Sequence, residues 1–437
     1  MNGIFNSANT RFSWAWSVDG VGLICFVAYC LLAWLSLHTE FLSLQFYYVL
    51  LGFCFVATLI VFKSVDERSL TPVKLLVWAA LFRIIGIWGD PLWEDDFFRY
   101  LWDGYRFFET GSPYGIAPSA FFGDSTITGE FFSVLAQVNY PDVPTIYGPT
   151  LQYTFLLGHV LAPAQIWVLQ TLYAIADMLL IVLLLRMANI RWVLLYAWSP
   201  LVIKELAFTA HPDGVGTLLM VLALYCRQQK QLAISVSVMA LSVGAKVFAL
   251  LLVPFILWRL SFRYWCLFLL VLLALYLPFV LNGASDMAGL LVFVREWQFN
   301  SSVYGFLRLW FPAEAVKILL GIVFVSLYAV LFWQHHKLKV WTIPRGDILF
   351  GLFFLVAPVV NAWYLIWLLP FAVLFPQAWS WVFSITVMLS YSIGINMVSP
   401  AVAPFEIPLW VLLIEYGAVF IALCLDIYYR YRHNKQT

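Results

Sequence analysis

The sequence predicts an all-α fold, a polytopic integral membrane bundle of helices, and three observations carry that expectation. Hydrophobic residues make up 63% of the chain and charged ones 11%, with a mean hydropathy of +0.90, a balance no water-soluble domain keeps. Apolar runs recur along it, each near the roughly 20 residues that carry a helix across about 30 Å of hydrocarbon. Lysine and arginine collect at the ends of those runs, and many of the 21 tryptophans lie there too, where indole suits the lipid-water boundary. The net charge of +1 gives no basis for nucleic-acid binding. All six cysteines fall in apolar stretches or at their edges, so no loop-to-loop disulfide framework is expected. The polar first ten residues lack the basic region and small-residue cleavage site of a secretory signal, so the first apolar run reads as a retained span.

In chain order, spans are expected over 20–37, 43–62, 72–89, 165–186, 192–209, 213–227, 264–281, 315–334, 378–397 and 408–427. Shorter broken segments are expected over 150–163, 231–258 and 347–375. Cations in short loops set the orientation. Lys63, Arg68 and Lys74 mark the cytoplasmic side, as do Arg186 with Arg191, Arg227 with Lys230, and Arg259 with Arg263. The run from His335 to Arg345 and the tail from Arg430 to Lys435 complete it. That assignment alternates consistently when 231–258 and 347–375 are broken hairpins. The opposite face then receives 90–149, the surroundings of His211, the loop 282–313, the tip from Asn361 to Tyr364, and the loop 398–407. The chain thus reads as one transmembrane domain, 1–437, with 90–149 as a long external loop carrying interfacial helices. A loop of that length, rich in Gly, Pro, Asp and aromatics, is usually functional.

That loop holds the densest chemistry, in WEDDFFRYLWDGYRFF over 93–108. In a helix running from Asp95, residues Asp96, Arg99 and Asp103 share one face, while Phe97, Phe98, Leu101 and Trp102 rest on the membrane interface. Glu94, Asp95 and Asp96 repel one another, which raises at least one pKa and suits a general base or a cation site. An acidic helix N-cap, favoured by the helix dipole, is the plainer reading of the same triplet. His211 and Asp213 form an ionisable pair where a span begins. Lys246 interrupts the apolar VMALSVGAKVFALLLVPF, at a cost of about 2.5–3.5 kcal/mol. A bound anion such as a lipid-linked phosphate would offset that cost, and so would Glu205 or Asp177. In REWQFNSSVYGFLR, Arg295 and Arg308 could fork onto phosphate, and Asn300, Ser301 and Ser302 could bond sugar hydroxyls or cap the next helix. Tyr147 sits in a rigid Tyr-Gly-Pro turn that either walls a pocket or redirects the chain, and Trp363 and Tyr364 offer faces for a sugar ring or an interfacial anchor.

EDDFFRYLWDGYRF with GSPYGIAP after it, PTIYGPTLQ, the WSPLVIKE and HPDGVG pair, GAKVFALLLVPF, WQFNSSVYGFLR and NAWYLIWLLP occur in that order from residue 90 onward. Together they resemble the polytopic mannosyltransferases of the GT-C superfamily, particularly bacterial polyprenyl-phosphate-mannose-dependent members related to the GPI mannosyltransferases. The chain departs from the pattern at Gly148-Pro149, where two prolines are expected, and at Glu94, where a small residue is expected.

The resemblance implies a catalytic carboxylate at Asp95 or Asp96, supported by Arg99 and Asp103, with 90–149 as the catalytic loop. It implies an inverting transfer of a hexose, expected to be mannose, from a polyprenyl-phosphate-sugar donor to a glycan, lipid or protein acceptor. The expected setting is the periplasmic face of a bacterial inner membrane, among membrane lipids. Such a reaction needs a base for the acceptor hydroxyl and a cation for the departing phosphate, for which Arg99, Lys246 and Arg295 are the candidates. Lys246, Arg295, Asn300, Ser301, His211, Asp213, Tyr147, Trp363 and Tyr364 form the expected substrate-binding set. No cofactor is required, although Glu94, Asp95 and Asp96 could hold Mg²⁺ or Mn²⁺. The chief competing reading is a transporter or flippase of lipid-linked sugars, which predicts charges spread through the spans rather than gathered in one loop.

Overall fold

A computed structural model describes residues 17–64, 69–127, 129–393 and 407–434. Arg68, Lys435 and nearly all of the loop 398–407 lie outside the described residues. The first two helices, α1 (Val18–Leu37) and α2 (Leu44–Ser64), precede α3 (Pro72–Trp88), whose proline occupies the first turn, where its missing N–H has no helical partner to lose. The loop then builds α4 (Asp96–Thr110), ended by Gly111 at φ +74°, and α5 (Gly129–Leu135). After α6 (Pro149–Leu161) and α7 (Ile166–Leu185) come the short α8 (Ile190–Ala197) and α9 (Pro200–Ile203), the latter running into a π-turn, Lys204–Phe208. The second half comprises α10 (Asp213–Gln228), α11 (Leu232–Ala245), α12 (Val253–Leu257), α13 (Phe262–Leu281) and α14 (Met287–Glu296). It continues through α15 (Val303–Leu307), α16 (Ala313–His336), α17 (Gly346–Val356), α18 (Leu369–Leu374), α19 (Ala378–Thr386) and α20 (Leu409–Asn434).

Among the described residues, six helices are long and apolar enough to cross a membrane: α1, α2, α7, α13, α16 and α20. The bent pair Pro200–Phe208 and Asp213–Gln228 would make a seventh if counted as one span. The protein is thus an all-helical polytopic membrane protein.

Three differences from expectation, and one expected break, matter for the site. The run 192–209 is not one helix: Ser199 before Pro200 is extended, as a residue preceding proline prefers, and the chain bends by 117° before α10. That bend turns residues 204–213 into the interior. The expected break in 231–258 falls at Lys246, whose backbone is extended between α11 and a 3₁₀ turn. In helix α4, two of the four residues expected to rest on the membrane interface face protein instead. Leu101 and Trp102 are buried, packed with Phe131, Leu135, Leu151 and Phe155, because the rest of the loop folds over the helix and supplies protein for its apolar face to bury against. Finally, charge is not confined to the loop. Arg83 donates from Nε to Asp177 at 2.6 Å with Tyr196 on the same carboxylate, and Lys204 pairs with Glu205 at 3.1 Å, all fully buried. Asp177 and Glu205 therefore have their own partners, and neither neutralises Lys246.

Candidate active site

The three acids follow the end of α3. Trp93, at φ +59°, turns the chain sharply so that Glu94, Asp95 and Asp96 all line one cavity of about 120 Å³. Asp95 occupies the N-cap position of α4, yet its side chain makes no capping bond. Instead the amide of Asn139 donates to Asp95 Oδ1 at 2.7 Å and to Asp96 Oδ1 at 2.8 Å. Glu94 is buried and its Oε1 has no partner. No lysine or arginine among the described residues forms an ion pair with the triplet.

The electrostatics follow. Burial, then the charge of Asp96, holds Glu94 well above the usual carboxylate range. Burial and Asp96 push Asp95 up to about 6 against the opposing hydrogen bond from Asn139. Asp96 is raised by burial, with Asn139 again opposing. Proton-accepting carboxylates with pKa lifted toward neutrality are what general-base work at ordinary pH requires.

Arg99 and Asp103 act on the cavity wall rather than inside it. The Arg99 guanidinium is spent on three carbonyls, Val143 at 2.9 Å, Asn139 at 2.9 Å and Tyr140 at 3.0 Å, clamping the irregular rim segment to α4. Asp103, pushed up to about 6 by burial, accepts from Thr145 Oγ1 at 2.5 Å and Gln152 Nε2 at 2.9 Å, which anchors the turn leading to Tyr147. Tyr147 lines the cavity and its hydroxyl lies 3.3 Å from Asp96 Oδ2. Gly148 is required behind it, since a Cβ there would collide with the carbonyl oxygen of Gly244 in α11.

The same cavity is lined by Lys246, Asn361, Trp363 and Tyr364. Lys246 donates to Asp213 Oδ1 at 2.7 Å, with its ammonium 4.4 Å from the ring centre of Tyr364. Asp213 is buried and also accepts from Trp367 Nε1 at 2.7 Å, so it holds Lys246 from behind and does not itself line the cavity. His211 is likewise buried, stacked on Trp363 at 4.0 Å with an interplanar angle of 14°. The tip containing Trp363 and Tyr364 is internal, not an interfacial anchor.

Three expected residues stand elsewhere. Phe293 and Trp297, four apart at the end of α14, face the cavity, which turns Arg295 between them outward into an exposed position. It lines neither this cavity nor the one beside it. Asn300, at φ +47°, is buried and donates to Val360 O at 3.2 Å and Glu415 Oε1 at 3.0 Å, tying its loop to α20. Ser301 lies beside it, outside the cavity. Conversely, Asn139 escaped sequence reasoning. It is neutral and sits in a turn-forming NYPDVP run more than 40 residues from the acids, and only the long functional loop around it was a signal.

A second cavity, of about 430 Å³, adjoins the first. Val243, Leu290, Leu320, Phe324, Phe353 and Val356 give it an apolar wall, and Ile146, Tyr147, Lys246, Phe293 and Tyr364 line both. Lys246 is therefore the cation at the junction of an acidic chamber and a greasy one. One oxygen from each of Glu94, Asp95 and Asp96 lies within 4.8 Å of the others, and hard oxygen donors at that spacing, one of them buried and unpartnered, fit a divalent cation such as Mg²⁺ or Mn²⁺.

Residues 16–261 match the family described as alpha-(1->6)-mannopyranosyltransferase, N-terminal domain. No curated protein and no solved structure matches the chain.

Proposed function

Because the chain belongs to the alpha-(1->6)-mannopyranosyltransferase family, among the GT-C mannosyltransferases, we propose that it moves mannose from a polyprenyl-phosphate donor to a sugar hydroxyl, with inversion, in the chamber between Asp96 and Lys246. The observation that carries this reading is the meeting of the two cavities at Lys246. A polyprenyl-phosphate sugar is an apolar chain, an anion and a polar ring in series, and the apolar chamber, the ammonium and the acidic chamber follow in the same order. A nucleotide-sugar donor would have no use for the greasy chamber.

The chemistry uses this chain's own groups. Asp96, with Asp95 as its neighbour and alternate, takes the proton from the acceptor hydroxyl as that oxygen attacks the anomeric carbon. The bond from that carbon to the phosphate oxygen breaks, and the lipid phosphate departs with the electron pair, facing Lys246. A single displacement gives an α-linked product from a β-linked donor, and the family description supports a 6-hydroxyl of mannose as the acceptor. A divalent cation held by Glu94, Asp95 and Asp96 would add positive charge beside the leaving phosphate; the displacement itself does not require one. A non-cytoplasmic site, in a bacterial inner membrane, is supported by the charge pattern: Lys74 begins α3 and the acids follow its far end, while α10 begins at Asp213 and ends at Arg227.

Purified protein in proteoliposomes, supplied with a β-linked polyprenyl-phosphate mannose and an octyl α-mannoside, tests the reading. Asp96→Asn and Asp95→Asn are each expected to lower transfer, the stronger of the two by about 10²–10⁴-fold. Transfer at wild-type rates in both variants would overturn it.

A further inference from the structure

His211 lines neither cavity, yet it contacts Trp363, which lines the acidic one, and Tyr100, which in turn meets the cavity-lining Tyr147. Its Nδ1 is 3.1 Å from the Tyr100 hydroxyl, which is 3.3 Å from the Tyr147 hydroxyl, which is 3.3 Å from Asp96 Oδ2. Its ring face lies flat on Trp363, which lines the same cavity as Asp96. The imidazole itself is held rigidly. Ala210 before it adopts φ +57°, its backbone N–H donates to Glu205 O at 2.9 Å, and its Nε2 stands 3.5 Å from Glu205 Oε2. Glu205 is in turn fixed by Lys204 at 3.1 Å and by the Tyr391 hydroxyl at 2.8 Å. A 117° bend, a π-turn and a left-handed alanine are costly backbone features, and together they deliver this one ring to the back of the chamber.

We propose that His211 is a positioning residue that sets both halves of the transfer geometry: through Tyr100 and Tyr147 it orients the Asp96 carboxylate, and by stacking it fixes the tilt of Trp363 as the platform for the transferred sugar. The inference rests on the function proposed above. With the imidazole proton on Nε2, facing Glu205, Nδ1 accepts from the Tyr100 hydroxyl, and the Tyr147 hydroxyl faces both the Tyr100 oxygen and Asp96 Oδ2 as donor, so the group against the carboxylate is held by a line of hydroxyls ending on a buried ring. The stack is independent of that line, since it uses the ring face rather than its edge.

The two contacts can therefore be removed one at a time. His211→Phe keeps a flat ring against Trp363 and loses the bond to Tyr100. His211→Asn places an amide oxygen, an acceptor like Nδ1, near its position and loses the stack. In the proteoliposome assay, with folded protein quantified by its thermal unfolding midpoint, His211→Phe and Tyr100→Phe are expected to lower kcat by about 10²-fold with donor KM within about threefold, the scale of a misplaced reacting group. His211→Asn is expected to keep kcat within about tenfold and raise donor KM by about tenfold, the scale of one lost stacking contact. Activity per folded molecule equal to wild type in all three variants overturns the inference, and so does an equal loss of kcat and KM in His211→Phe and His211→Asn, which is what general loosening of the fold would produce. Failure here with Asp96→Asn still inactive leaves the proposed function standing; an active Asp96→Asn removes that function whatever the histidine variants do.

Discussion

Replacing Lys246 by methionine separates the two tasks the structure assigns to that side chain. Its ammonium is 2.7 Å from Asp213, and their side chains are 16% and 1% exposed, so the pair is effectively buried. Methionine matches the stem and removes only the charge, leaving Asp213 with the Trp367 N–H as its remaining partner. Breaking a buried pair from one side costs about 3–5 kcal/mol, because an uncompensated carboxylate stays behind. With Trp367 still donating, the low end is expected, about 3 kcal/mol, or roughly a 10²-fold shift in the folding equilibrium. Adding Asp213→Asn removes the stranded charge, and the double variant is expected to recover to within about 1 kcal/mol of wild type. Donor use is expected not to recover: without a cation at the junction of the chambers, kcat/KM for the polyprenyl-phosphate donor stays about 10²-fold low in both variants. Equilibrium unfolding in mixed micelles gives the first quantity and initial rates against donor concentration the second. A single variant as stable as wild type, or a double variant with normal donor kinetics, would refute the reasoning.

Further outcomes follow from the acidic chamber. Because the base must be ionised and burial raises both aspartates, kcat is expected to rise with pH above the usual carboxylate range, through about 6 where Asp95 is the base, and then to level; a rate flat from pH 4.5 to 7.5 contradicts this. Stability runs the opposite way. Carboxyls whose pKa is raised in the folded state stabilise it below their ordinary range near 4, and that contribution is lost as pH climbs through about 6, so thermal midpoints fall over the interval in which activity grows. Asn139→Leu removes the N–H groups that favour both ionised aspartates, and its activity profile is expected to shift to higher pH; an unmoved profile would show that Asn139 does not tune them. Gly148→Ala forces a methyl into the Gly244 carbonyl and is expected to lower stability by about 1–3 kcal/mol, as read by chemical unfolding, with Tyr147 displaced and transfer reduced.

Several features of the molecule were written plainly along the chain. Hydropathy runs and flanking cations located most helices to within a few residues, as α1, α7 and α13 illustrate against 20–37, 165–186 and 264–281. A three-acid cluster in the longest loop, a lysine inside an apolar run and a histidine-aspartate pair at a span boundary marked the chemistry, because a buried charge is costly enough to stand out against 63% hydrophobic residues. Spacing within one helix also told which residues share a face, as it does for Asp96, Arg99 and Asp103.

What the tertiary structure alone decided is who partners whom across the bundle. Composition offered Glu205 and Asp177 as acids for Lys246, and the acid that pairs with it is Asp213, delivered by a 117° bend that no periodicity announces. Nor could it separate Arg295, on the outward side of α14, from Phe293 and Trp297, or find Asn139, a neutral amide bridging two acids from more than 40 residues away. Local patterns are set by the helix's own period and by the solvent it meets. Contacts between distant segments depend on where backbone breaks aim the chain, and those breaks are resolved only when the helices pack.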